Sequence, residues 1–223
     1  MNPYEGPDRP SVTAFPIAKA GFPFIYASAF ASAIFALLGL KIPAILLLGA
    51  TLFICFFFRD PDRVIPASPG AVISPADGRI IVAEKIGLSP FYKGPCFKIS
   101  IFMNIFNVHV NRIVQEGEVV KIDYRPGKFY SADQDKAGLE NEHNAVFIKT
   151  ESGRELCIVQ VAGLIARRII CTVQKGEVVK RGQKFGLICF GSRLDVYLPE
   201  DFKVEVAPGD KVKAGETLLG EII

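Results

Sequence analysis

The chain has 223 residues, half of them hydrophobic, and a formal net charge of only +3. That charge is too small for a nucleic-acid partner, and no basic cluster is interleaved with aromatics as a strand-binding surface requires. Five cysteines without a CxxC pair and only two histidines leave no zinc-type ligand set, so no metal is expected and the thiols read as buried and reduced.

Residues 1–20 form an irregular leader containing Pro3, Pro7, Pro10 and Pro16. Its two acids and lack of a basic start argue against a signal peptide, so it is expected to be retained. Two apolar runs follow, 22–40 and 42–58, interrupted by a single formal charge at Lys41. Each is near the lower length for a spanning helix. Residues 21–63 are therefore expected to form a membrane-associated helical hairpin that turns at Lys41 and Pro43. A buried hairpin in a soluble protein is the alternative, and the scarcity of charge argues against it. Lys19 before the hairpin and Arg59 and Arg63 after it put positive charge at both outer ends. That pattern places both ends, and the domain that follows, on the cytoplasmic side of the cell membrane.

From residue 64 to 223 the pattern changes to short β-branched and aromatic runs, among them 71–74, 79–82, 97–103 and 145–150, punctuated by Gly, Pro and Asp. No long amphipathic helices alternate with them. A mainly β domain is expected, a β-sandwich or barrel. An internal repeat refines this: Gly176-Glu177-Val178-Val179-Lys180-Arg181-Gly182 is echoed by Gly209-Asp210-Lys211-Val212-Lys213-Ala214-Gly215. Glycines at a fixed interval supply the positive φ that tight turns need, with a valine pointing inward. The unit resembles the barrel-sandwich hybrid of biotinyl and lipoyl carriers. Asp135-Lys136-Ala137 even looks like a lipoyl-lysine tripeptide, but a carrier lysine belongs at a hairpin tip midway through a domain half this size.

The chemistry is concentrated in Phe190-Gly191-Ser192-Arg193. Gly-Ser is an ordinary turn dipeptide. It also places a hydroxyl directly behind a glycine carbonyl, so that Ser192 can attack its own backbone, converting the peptide to an ester whose elimination leaves a ketone at a new N-terminus. A serine hydrolase using Ser192, His109 and Asp77 is a competitor, but the GxSxG elbow is missing. Taken singly, Asp77 in Ser74-Pro75-Ala76-Asp77-Gly78 reads as a turn residue and His109 in Asn107-Val108-His109-Val110-Asn111-Arg112 as a core group.

In order and spacing, Phe57-Phe58-Arg59-Asp60-Pro61, Ser74-Pro75-Ala76-Asp77-Gly78, Phe102-Met103-Asn104 through Arg112, and Phe190-Gly191-Ser192 together resemble phosphatidylserine decarboxylases of the short bacterial and archaeal type. The likeness runs from about residue 20 to the C-terminus. It implies a proenzyme that cuts itself between Gly191 and Ser192 through a triad of Asp77, His109 and Ser192, with Ser192 becoming a covalent pyruvoyl group (pyruvate as cofactor). His109 would act as base while Asp77 fixes its tautomer. Chains 1–191 and 192–223 would remain together as a heterodimer. The pyruvoyl ketone would form a Schiff base with the substrate amine and accept electrons as CO₂ leaves. The resemblance thus implies conversion of phosphatidylserine to phosphatidylethanolamine, with an ether-linked archaeal lipid as the alternative substrate. Longer family members carry a second histidine where this chain has Phe106, so the proton donor is His109 or water, and His143 reads as a surface residue or one packed behind the site. Arg167 and Arg168 are candidates to bind the lipid phosphate, against the plain reading of a solvated pair.

Overall fold

The computed structural model describes residues 16–134, 136–164, 168–189 and 191–222. They divide into two compact units, one up to Asp62 and one from Arg63 onward.

In the first unit a 3₁₀ turn, Lys19–Gly21, leads into α1 (Phe22–Leu37), and α2 (Lys41–Phe57) runs back. The reversal differs from the expected place. Gly39, at φ +75°, makes the turn, while Lys41 opens α2 and Pro43 sits in its first turn. Proline is tolerated there because the first N–H groups of a helix have no intrahelical partner. Two cross-helix hydrogen bonds, Thr51 Oγ1 to Ser28 Oγ (3.0 Å) and Ser32 Oγ to the Ala44 carbonyl (2.8 Å), hold the pair together. Most large apolar side chains face outward, including Phe30, Leu37, Ile42, Ile45, Leu46 and Leu52. The stretch Lys19–Leu37 has a mean hydropathy of 1.7 and is only 11% buried. At 1.5 Å per residue it is about 28 Å long, close to the thickness of a bilayer's hydrocarbon core.

The second unit is mainly β, as expected. Its strands are β1 (Ala71–Ile73), β2 (Gly78–Ile86), β3 (Cys96–Met103), β4 (Val110–Arg112), β5 (Gly117–Arg125), β6 (His143–Lys149), β7 (Glu155–Ala162), β8 (Ile169–Cys171), β9 (Val178–Val179), β10 (Lys184–Ile188), β11 (Ser192–Pro199), β12 (Lys203–Val204), β13 (Lys211–Val212) and β14 (Leu218–Glu221). One helical turn, α3 (Ala137–Glu140), precedes β6. Eight strands form a curled sheet in the order β13-β2-β3-β11-β7-β6-β5-β9, flanked by the three-stranded sheets β1-β14-β12 and β4-β10-β8.

The repeat in the sequence is a duplication of structure. Gly176 and Gly209 have φ of +85° and +101°, and Gly182 and Gly215 both have +80°. Val179 pairs with Gly117 on one edge of the sheet, and Val212 pairs with Gly78 on the other. Gly182 donates its N–H to Ile113 and Gly215 to Ser74, each at 2.8 Å. A Cβ on Gly78 would stand 2.3 Å from the Phe102 carbonyl oxygen, and one on Gly117 would stand 2.4 Å from that of Lys149, so both places require glycine. The strand order thus reads as two copies of the same four-strand set meeting between β11 and β7. Both edges end in two-residue strands, which leaves little unpaired backbone exposed.

Alternation along the strands separates two faces. The inner face carries the main core, including Ile99, Ile101, Met103, Val146, Ile148, Ile158, Ala162, Leu194, Val196 and Leu198. The outer face carries a smaller cluster of Phe91, Cys96, Ala145, Cys157, Val159, Val161 and Tyr197.

Candidate functional site

Ser192 opens β11, a central strand, and is paired with Met103 of β3 on one side and Ala162 of β7 on the other. It lies in register with Leu194 and Val196, so its side chain belongs to the inner face. The residue is fully buried and its Oγ has no hydrogen-bond partner among the described residues. A buried hydroxyl without a partner costs on the order of 1–3 kcal/mol, which a fold carries only where something compensates. Gly191, immediately before it, has φ +69°, a conformation that side-chain-bearing residues rarely adopt. Its carbonyl oxygen packs on Gly163, where a Cβ would approach it to 2.4 Å. The Gly191–Ser192 peptide is thus held from both sides.

The next strand pair brings His109 to this end of the sheet. β3 stops at Met103, opposite Ser192, and residues 104–107 reverse the chain. The Asn104 side chain accepts the Phe106 N–H and the Asn107 side chain accepts the Asn104 N–H, each at 2.9 Å, while the Asn107 N–H bonds to the Asn104 carbonyl. This locally capped turn explains why two asparagines flank it. Beyond it, His109 is completely buried, and its Nδ1 lies 2.9 Å from the Asn107 carbonyl oxygen. A carbonyl only accepts, so Nδ1 carries the proton and Nε2 is left as the basic nitrogen.

That contact corrects one expectation, since the carbonyl of Asn107, rather than Asp77, selects the tautomer. The Asp77 carboxylate receives both Arg63 (2.9 and 3.0 Å) and the Ala214 N–H (2.8 Å). Arg63 also reaches Glu216 at 3.4 Å. Asp77 therefore ties the second repeat turn to the segment that enters the domain. Close by in the chain, Arg112 donates from Nη1 to the Gly182 carbonyl at 3.0 Å, and burial pulls its guanidinium down to about 10, partly opposed by Glu216.

Two polar residues of the inner face were not singled out in the sequence. Gln160 of β7 donates to Asn111 Oδ1 (2.9 Å) and accepts from Asn144 Nδ2 (3.0 Å). Asn111 Nδ2 in turn points at Met103 Sδ, 3.9 Å away. The signal was a lone glutamine in the apolar run Leu156-Cys157-Ile158-Val159-Gln160-Val161, since a polar side chain on the core face of a strand needs buried partners.

The remaining candidates fall elsewhere. His143 is buried rather than at the surface. It lies on the outer face, edge-on to Phe91 with 5.3 Å between ring centroids, its Nδ1–H on the Asn141 carbonyl, and so on the opposite side of the sheet from Ser192. Arg167 lies outside the described residues, as does Phe190. Arg168 is exposed, and its carbonyl accepts the Cys189 N–H at 3.2 Å. Lys136, the carrier candidate, precedes α3 with its ammonium 3.9 Å from the centre of the Tyr130 ring. Burial raises the thiols of Cys157, Cys171 and Cys189, so they are protonated at neutral pH. Among the described residues no cluster of three or more His, Cys, Asp or Glu could hold a metal ion.

The structure thus sets a buried serine hydroxyl behind a left-handed glycine, with a buried imidazole in the segment that follows the adjoining turn. Comparison with known proteins shows the family. Residues 50–220 match the family model described as phosphatidylserine decarboxylase. The chain is 51% identical to a phosphatidylserine decarboxylase proenzyme of Desulfotalea psychrophila, over 93% of this chain and 97% of the relative. It is 50% identical to that of Syntrophus aciditrophicus, over 92% and 96%, and 53% identical to that of Cupriavidus taiwanensis, over 77% and 80%.

Proposed function

The chain belongs to the phosphatidylserine decarboxylase family and is a decarboxylase, and from that premise we propose that it matures by cutting itself between Gly191 and Ser192 and then decarboxylates phosphatidylserine at the cytoplasmic face of the cell membrane. The observation that carries this reading is the buried Ser192 Oγ, unpartnered and one peptide bond beyond a Gly191 held at φ +69°.

His109 Nε2 takes the Ser192 hydroxyl proton, and Oγ adds to the Gly191 carbonyl. The C–N bond breaks, leaving an ester and a free amine on residue 192. Removal of the Ser192 Cα proton then expels the Gly191 carboxylate, and water replaces the nitrogen, releasing ammonia and leaving a pyruvoyl group. A hydroxyl with no competing hydrogen bond suits attack, because no partner has to be given up first. Asp77 is the third member of the proposed triad, contributing negative charge from the turn that Arg63 and Ala214 hold in place.

The site fits that group: Ser192 would be its source, and the buried side chains nearby, Met103 and Ala162 paired with Ser192 and the amide of Asn111 against Met103, are apolar or weakly polar. Once formed, the pyruvoyl carbonyl supplies an electron sink for loss of CO₂ from an amino-acid headgroup. A buried, weakly polar wall would strip the substrate carboxylate of water and favour release of neutral CO₂. The outward-facing apolar hairpin supports a membrane location, and Lys19, Arg59 and Arg63 support the cytoplasmic side. Arg167 and Arg168 are proposed to meet the lipid phosphate. The two products, 1–191 and 192–223, would stay together because β11 lies between β3 and β7, both contributed by the long chain.

The reading is tested with Ser192→Ala. The variant should purify as one folded, inactive chain, whereas processing or decarboxylation in that variant would refute it.

A further inference from the structure

Arg193 follows the proposed cleavage point, and its side chain lies on the opposite face from Ser192, only 1% exposed. There it forms an ion pair with Asp195, donating from Nη2 to Oδ2 at 3.0 Å, with Nε 2.8 Å from Oδ1. Its remaining prong, Nη1, donates to the carbonyls of Ala132 (3.1 Å) and Gln134 (3.0 Å). Asp195 is completely buried and has Lys98 at 3.8 Å as a further cation. Gly138 at the start of α3 leaves room for the guanidinium, since a Cβ there would come within 2.1 Å of Nη2.

The segment that Arg193 grips and the Gly191 carbonyl both border Gly163. Ala132 Cβ stands 3.3 Å from the place where a Cβ on Gly163 would be, and that place is 2.4 Å from the Gly191 carbonyl oxygen. Asn141 fastens the same segment a second time. Its amide bonds to both the N–H and the carbonyl of Tyr130, and to the carbonyl of Ala162, the residue paired with Ser192. Residues 130–134 are therefore a strap beside the proposed cleavage point, pinned by Asn141 of the same long chain and by Arg193 from what would become the short one.

We propose that Arg193 is a positioning residue for self-cleavage and for the new terminus, acting through the strap, an inference that rests on the cleavage proposed above. Before cleavage it sets the strap against the Gly191 carbonyl through Ala132. After cleavage residue 192 would be the first of a strand, and strand ends fray. The guanidinium one residue in, bonded to two carbonyls of the other chain, holds that end in register. The clamp is charged and buried, so removing Arg193 alone would strand Asp195. For that reason the informative variants keep the charge balanced.

The test follows self-cleavage by intact mass in Arg193→Lys and in the double variant Arg193→Met/Asp195→Leu, beside wild type, with thermal unfolding of each sample. Lysine keeps a charge for Asp195 but cannot also hold both carbonyls. Displacing a reacting group by about 1 Å costs on the order of 10²-fold in rate. The double variant should thus cleave about 10²-fold more slowly at an unchanged melting temperature, with Arg193→Lys in between. Cleavage within about 2-fold of wild type in folded Arg193→Lys would overturn the clamp while leaving the cleavage reading standing. Wild type that stays intact would overturn both.

Discussion

The two copies of the strand set end differently. In one, β6 and β7 are joined by a tight hairpin over 150–154, with the Thr150 N–H on the Arg154 carbonyl at 2.9 Å and Gly153 at φ +80°. In the other, β3 and β11 meet at Met103 and Ser192 with no covalent link between them, and the proposed cleavage point lies where its sister has a turn. A similar contrast separates the acids that precede the equivalent glycines. Glu116, before Gly117, meets Arg181 at 3.3 Å with its side chain 43% exposed. Asp77, before Gly78, is 13% exposed and receives Arg63 together with the Ala214 N–H. The duplication supplies the scaffold twice, and the proposed cleavage dipeptide and the enclosed acid are found in one copy only. A chain cut at a strand end would lose no hairpin turn between the paired strands β3 and β11, which is a physical reason to place the proposed cleavage there.

The sharpest way to break this asymmetry is at the proposed base. His109→Gln removes the basic nitrogen from the Ser192 end and has no counterpart in the other copy. Self-cleavage followed by intact mass should slow by at least about 10²-fold, and near-normal processing would remove His109 from the mechanism. Next comes the pair of acids. Asp77→Asn keeps an acceptor for the Ala214 N–H but loses the charge, and should slow cleavage by roughly 10²-fold. Glu116→Gln, at the equivalent place, should leave it within about 2-fold, because an exposed ion pair contributes less than about 1 kcal/mol. Equal effects at both positions would mean that Asp77 serves only the repeat turn.

The smallest effect concerns pH. Burial holds the thiols of Cys157, Cys171 and Cys189 and the Tyr197 phenol above their ordinary values. Above pH 9 the unfolded chain loses protons that the folded chain keeps, so stability falls as pH rises through that range. Arg112 acts in the opposite sense from about pH 10, because its buried guanidinium loses its proton before the unfolded one does. Denaturant midpoints should therefore decline from about pH 9 upward, with Arg112 offsetting only part of the fall above about pH 10.

Much of this organisation was legible in the sequence. The repeat could be read because Gly176, Gly182, Gly209 and Gly215 are fixed by local backbone conformation, and the hairpin because its residues are apolar on every side. Its turn was misplaced by two residues, since Lys41 and Pro43 look like breakers although a helix's first turn accepts both. The candidates Ser192 and His109 stood out because serine after glycine and histidine in an apolar run are chemically conspicuous. What could not be read was pairing across long separations. Arg63 with Asp77, Gln160 with Asn111, and Arg193 with Ala132 depend on which strands become neighbours, and no spacing in the chain encodes that.

The central claim is that Ser192 is consumed in making the working enzyme. Intact mass measurement of the purified wild-type protein tests it most directly. The account predicts two chains, 1–191 and 192–223, with the shorter beginning in a pyruvoyl group in place of serine. A single active chain of 223 residues with an unmodified Ser192 would contradict it.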